Sequence, residues 1–194
     1  MTKIQAVGVY CSSYEGLDEI YRKTAIELGQ QLAEHNITMV YGGGALGLMG
    51  DVSRSVMGHG GRVIGFMPHH LKEYEDPNVD ITELHMVDSM HTRKRLMFEH
   101  AEAFFILPGG FGTLDETFEV ITWQQLKLHE KPIIFLNVNG YWDPLQQLTE
   151  NIFDQGFAKI EHKKYFTFVT SISEAFKALQ KLPESDIHEP LEWM

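Results

Sequence analysis

One cysteine, Cys11, stands among 194 residues, so no internal disulfide is available and a reducing compartment is expected. Basic charge is scarce as well: 16 lysines and arginines face 27 aspartates and glutamates, a formal net charge of −11 with histidine neutral. That balance excludes nucleic-acid polymers and anionic membranes as general partners, since both require a basic face. A nucleotide stays open as a ligand, because a few local cations decide that contact. No apolar run approaches the length of a membrane span, and the first residues carry no secretory h-region. The expectation is a cytoplasmic protein without membrane attachment. Internal repeats, linkers and low-complexity segments are also missing.

Three familiar site motifs are absent too. No Gly-Lys-Ser/Thr follows a glycine-rich turn, so there is no Walker A loop. Gly42, Gly44 and Gly47 match a bare G-x-G-x-x-G, but they follow the second candidate strand, whereas a dinucleotide fingerprint occupies the first strand–helix turn. Of ten histidines, no two have the His-x-x-x-His spacing of a zinc helix, so no metal is expected.

What the chain does have is ordinary globular composition, 43% hydrophobic and 22% charged, in a length that fits one domain with a proper core. Short β-rich runs at 4–10, 38–41, 62–66, 81–87, 103–107, 132–138 and 166–170 alternate with helical periodicity. The runs at 103–107 and 132–138 are almost continuously apolar, as in strands covered on both faces. This alternation predicts an α/β fold, a doubly wound and mainly parallel sheet of about seven strands with helices on both faces. The domain is expected to span 1–182, with a mobile tail over 183–194 where periodicity is lost.

The most informative stretch is Pro108-Gly-Gly-Phe-Gly-Thr-Leu-Asp-Glu116, between an apolar run and an amphipathic one. It reads as strand, glycine turn and helix start. Its glycines let the backbone approach a ligand, and unpaired N–H groups with the positive helix end suit a phosphate. A second glycine turn, Tyr41-Gly-Gly-Gly-Ala-Leu-Gly-Leu-Met-Gly50, should open onto the same sheet edge. Between them, Asp88 or Ser89 caps a helix whose early turns carry Arg93, Lys94 and Arg95. Cations there oppose the helix dipole, a conflict that a bound phosphate relieves; the alternative is a solvated basic face balanced by acids.

Glu116 also has two readings. Thr113-x-x-Glu116 fits a capping box, in which the carboxylate merely bonds the helix start. Alternatively it faces a nucleotide sugar, with Glu119 and Thr122 along the same helix face. Phe111 either contacts a ligand or is buried. Trp123 belongs to a packing face, and Cys11 reads as a small buried residue.

Taken together, Met90-His-Thr-Arg-Lys-Arg-Leu-Met97 and Pro108–Glu116 resemble the paired signature of the Lonely Guy (LOG) phosphoribohydrolases, formerly labelled possible lysine decarboxylases. The likeness runs from Cys11-Ser-Ser13 through Val40-Tyr-Gly-Gly-Gly44 and Gly47-Leu-Met-Gly50 to Asn137-Val-Asn-Gly-Tyr141. It implies a Rossmann-like fold, a homodimer with sites near the subunit interface, and no cofactor. The implied activity is hydrolysis of nucleoside 5′-monophosphates, AMP or cytokinin riboside monophosphates, to free base and ribose 5-phosphate. By the same resemblance Arg93 and Glu116 form the catalytic pair. Gly43, Gly44, Met49, Glu75, Lys94, Gly109, Gly110, Phe111, Gly112, Thr113, Leu114, Asp115 and Thr122 fall at substrate-binding positions. The chain departs from the family pattern at Ala45, Met67, Lys72–Glu75 and Asp115. Two rivals stand beside this reading: a non-catalytic nucleotide or molybdenum-cofactor carrier of the same fold, and a pyridoxal-phosphate lysine decarboxylase. The second needs a Schiff-base lysine, and Lys94 is the only lysine in the signature.

Overall fold

Each apolar run becomes a strand. In a computed structural model that describes residues 4–180, the chain runs β1 (Ala6–Tyr10), α1 (Glu19–Glu34), β2 (Thr38–Tyr41), α2 (Gly47–Gly58), β3 (Val63–Pro68), β4 (Glu83–Val87), α3 (Met90–His100), β5 (Ala103–Ile106), α4 (Phe111–Gln125), β6 (Ile133–Leu136), α5 (Asp143–Asp154), β7 (Phe166–Val169) and α6 (Ile172–Gln180). The expected tail lies outside the described residues. Strand ends shift by one or two residues: β3 extends through Pro68, and β4 begins at Glu83 rather than at 81.

All pairings among the seven strands are parallel, in the order β4-β3-β2-β1-β5-β6-β7. Parallel strands need crossovers, and helices supply most of them. Period-two alternation divides the central strands between two cores. Val7, Val9, Ala103, Phe105 and Leu107 pack with Leu28, Leu32, Val52 and Phe176 from α1, α2 and α6. Tyr10, Phe104, Ile106 and Phe135 pack with Met97, Val120 and Trp142 on the opposite face. Both faces are thus covered, which is why these strands read as unbroken apolar runs rather than alternating ones. No described helix is long and apolar enough to cross a membrane.

The chain winds outward from β1 through β2, β3 and β4, then returns to β5 on the other side of β1. That reversal is the topological switch point, and in open α/β sheets ligands bind beyond the C-terminal ends of the strands there, here β1 and β5.

Candidate functional site

Both glycine turns meet at this edge. The loop after β1 is tied to its neighbours by backbone bonds: Ser12 N donates to the Pro108 carbonyl at 3.2 Å, and Met49 N donates to the Ser12 carbonyl at 3.2 Å. Tyr141 adds a brace that sequence reading did not single out, its hydroxyl donating to the Gly109 carbonyl at 2.7 Å.

The basic run on α3 divides by helical periodicity. Ser89 is the N-cap, accepting from Thr92 N at 3.1 Å. Arg93 and Met97, four residues apart, are the buried residues of this helix. Arg95 points outward and pairs with Glu99 at 2.8 Å, so for it the solvated reading holds. Lys94 bridges to Asp115 at 3.1 Å and Glu119 at 3.2 Å, joining α3 to α4. These acids hold Lys94 above its ordinary value against the opposing effect of burial.

Arg93 is different. Its side chain is only 7% exposed, and its Nη2 lies 4.0 Å from Glu116 Oε1, farther than a hydrogen bond. Its Nε is buried without a hydrogen-bond partner. A guanidinium carries five donors, so burying one half-satisfied is costly unless an incoming acceptor completes it. Room for it comes from Gly42, where a β-carbon would collide with the guanidinium.

Glu116 does not cap its helix. α4 begins at Phe111 with Gly110 as N-cap and no side-chain cap bond, which corrects the capping-box reading: Thr113 already lies inside the first turn. The carboxyl instead projects toward Arg93. Burial pushes it from 4.5 up to about 7, and nearby Asp115 and Glu75 add to the rise, while Arg93 and Lys94 oppose it. Such a group exchanges protons near neutral pH, the range suited to acid–base work.

The other implied positions differ in exposure. Gly109 is buried, while Gly110, Phe111 and Gly112 are open; Phe111 is 93% exposed, so of its two readings burial fails. Thr113 is buried, its carbonyl accepting from the Thr117 hydroxyl at 2.6 Å, and Leu114 packs on the second core. Gly43, Gly44 and Glu75 sit beside one another, and Glu75 Oε2 is a buried oxygen without a partner. Met49 lies in the core beneath Gly44 and supports the turn. Thr122 is exposed on α4, six residues and about 9 Å along the axis from Glu116. Trp123 packs edge-on to Phe98 at 4.8 Å, and Cys11 is buried with its thiol pushed up, which leaves it inert as a nucleophile. Among the described residues, no cluster of histidine, cysteine or carboxylate side chains could hold a metal.

The parallel sheet with its switch point and covering helices defines a Rossmann-like α/β protein, and its candidate site combines a glycine-rich helix start with a largely buried carboxyl–guanidinium pair. The chain belongs to the Lonely Guy (LOG) family: the family model described as "Possible lysine decarboxylase" matches residues 49–179. A cytokinin riboside 5′-monophosphate phosphoribohydrolase of Arabidopsis thaliana is 40% identical over 195 residues, covering 99% of this chain and 89% of that one. A second protein so named, from Oryza sativa subsp. japonica, is 38% identical over 187 residues, covering 96% and 77%. In fold the chain is similar to the molybdenum cofactor carrier protein of Chlamydomonas reinhardtii, with a TM-score of 0.70 at 17% identity over 93% of this chain and 98% of that one. At that identity the likeness concerns the fold alone.

Proposed function

We propose that this protein hydrolyses the N-glycosidic bond of nucleoside 5′-monophosphates, AMP or its N6-substituted cytokinin relatives, releasing free base and ribose 5-phosphate. The observation that carries this reading is the largely buried Glu116 carboxyl facing Arg93 at 4.0 Å beside the glycine turn. Near 40% identity to enzymes named for that reaction supports it.

The chemistry follows from the geometry. Breaking the bond between C1′ and the base sends its electron pair to the base and builds positive charge on the sugar. An ionised Glu116 beside that carbon stabilises the charge and takes the proton from the attacking water, whose oxygen becomes the new C1′ hydroxyl; that proton then passes to the nitrogen of the departing base, which leaves neutral and returns Glu116 to its ionised form. The 5′-phosphate sits on the N–H groups at the start of α4, an end that no side chain caps. Arg93 fills its unpartnered Nε, together with the neighbouring Nη2, on substrate oxygens, a planar two-point contact that lysine does not reproduce. Lys94, already paired with two acids, positions the helices rather than serving as a free cation. Glu75 Oε2, buried and unpartnered, accepts from a sugar hydroxyl.

The reading includes a cytoplasmic homodimer. Exposed Phe118 on α4 and Leu126 at its C-terminal cap give a second copy an apolar face, with Thr122 between them. Light scattering on purified protein tests that part: a single-chain mass rules it out. The activity itself is tested by incubation with AMP, isopentenyladenosine monophosphate and the corresponding nucleosides. Base release from the monophosphates alone is expected. Tight AMP binding with no release from any of them would instead indicate a carrier.

A further inference from the structure

A recess of about 440 Å³ adjoins Glu75, within the size range of small-molecule pockets. Its floor is Gly44, Ala45 and Leu46, and its two lips carry Tyr14, from the loop after β1, and Tyr74, from the loop after β3. These tyrosines are 78% and 80% exposed, so neither contributes much to packing.

Their backbones, by contrast, are pinned. On the Tyr74 side, Ala45 N donates to the Asp76 carbonyl at 2.9 Å and Asn78 N to the Gly43 carbonyl at 2.9 Å, with an isolated bridge between Gly44 and Pro77. On the Tyr14 side, the amide of Tyr14 donates to Ser12 Oγ at 3.0 Å. Gly47, at φ +57°, lets the Ser13–Tyr14 backbone press against the start of α2, where a β-carbon would collide with it. Two solvent-facing rings on anchored backbones make a surface for a flat ligand: each tyrosine has only two side-chain torsions to fix on stacking, and the pinned loops need no rearrangement.

The layout matches a nucleotide. The phosphate turn follows β5 and the Tyr74 lip follows β3, three strand spacings away, or about 14 Å. Arg93 and Glu116 lie between them, over the turn that follows β2. With phosphate at α4 and sugar at Glu116 and Glu75, the base is delivered to the recess. We propose that Tyr14 and Tyr74 are the base-holding residues of this protein, stacking on the purine between the two lips. The assignment rests on the nucleotide reading of the site and adds to it the surface that selects for a base.

The test compares AMP with ribose 5-phosphate, which lacks the base, by titration calorimetry in the Glu116→Gln background so that no turnover intervenes. Tyr14→Ala and Tyr74→Ala should each weaken AMP about fivefold or more, leave ribose 5-phosphate unchanged, and be rescued by phenylalanine. The assignment is overturned if both alanine variants bind AMP as tightly as their parent, or if both ligands weaken equally. Base release by protein with Glu116 intact is measured alongside. Its absence would refute the hydrolase while the titrations still report on the recess; failure of AMP to bind at all would remove both readings.

Discussion

Replacing Glu116 by glutamine should stabilise the protein above neutral pH. Burial holds this carboxyl at about 7, against 4.5 for an unperturbed glutamate. Between those values the folded state binds more protons than the unfolded one, so stability falls as pH rises. The contribution of the protonated carboxyl is fully present below 4.5 and is lost as pH passes through 7. A difference of roughly 2.5 pH units corresponds to about 3 kcal/mol at pH 8, close to an upper bound because the side chain keeps some exposure. Glutamine has nearly the same shape and never ionises, so its variant escapes this loss. Urea unfolding at pH 4.5 and pH 8, at one protein concentration, measures the difference. The variant should match the parent at pH 4.5 and exceed it at pH 8, with a midpoint higher by roughly 1 M urea for a slope of 2–3 kcal/mol per M. An equal difference at both pH values, or a less stable variant at pH 8, would refute the account of Glu116 as a charge held in the interior at a cost.

Other perturbations separate the roles of neighbouring groups. Gly42→Ala forces the Arg93 guanidinium from its place and should abolish base release while circular dichroism stays that of a folded protein; wild-type turnover would show that the collision is relieved without moving Arg93. Arg93→Lys keeps the charge but not the planar fork, so activity should not return; near wild-type kcat would contradict the two-point contact. Ser89→Ala removes the α3 cap bond and should cost about 1 kcal/mol in urea unfolding, an effect confined to stability if the cap only anchors the helix.

Much of the fold is legible in the sequence, because strands buried on two faces need unbroken apolar runs and leave strong signals. β2 spans the expected residues, and β5 and β7 differ by one at their ends. The site is less legible there. Thr113-x-x-Glu116 satisfies the pattern of a capping box, yet the N-cap of α4 is Gly110, three residues before Thr113, and no side chain caps it. The pattern records which groups could bond; burial decides which do. On α3, the spacing of Arg93 and Met97 places them on one face, so the division between buried Arg93 and exposed Arg95 follows from helix geometry once the cap is fixed at Ser89. The unfilled donor of Arg93, the Gly42 cavity and the Tyr141 brace arise from segments distant in the chain, and no local pattern records them.

The most direct test of the account is base release from AMP by the native protein and by Glu116→Gln, followed by chromatography of free base and ribose 5-phosphate. Turnover by the native protein is expected, with a loss of about 10²–10⁴-fold in the variant, the size of a general-base contribution. Near wild-type release by Glu116→Gln would contradict it.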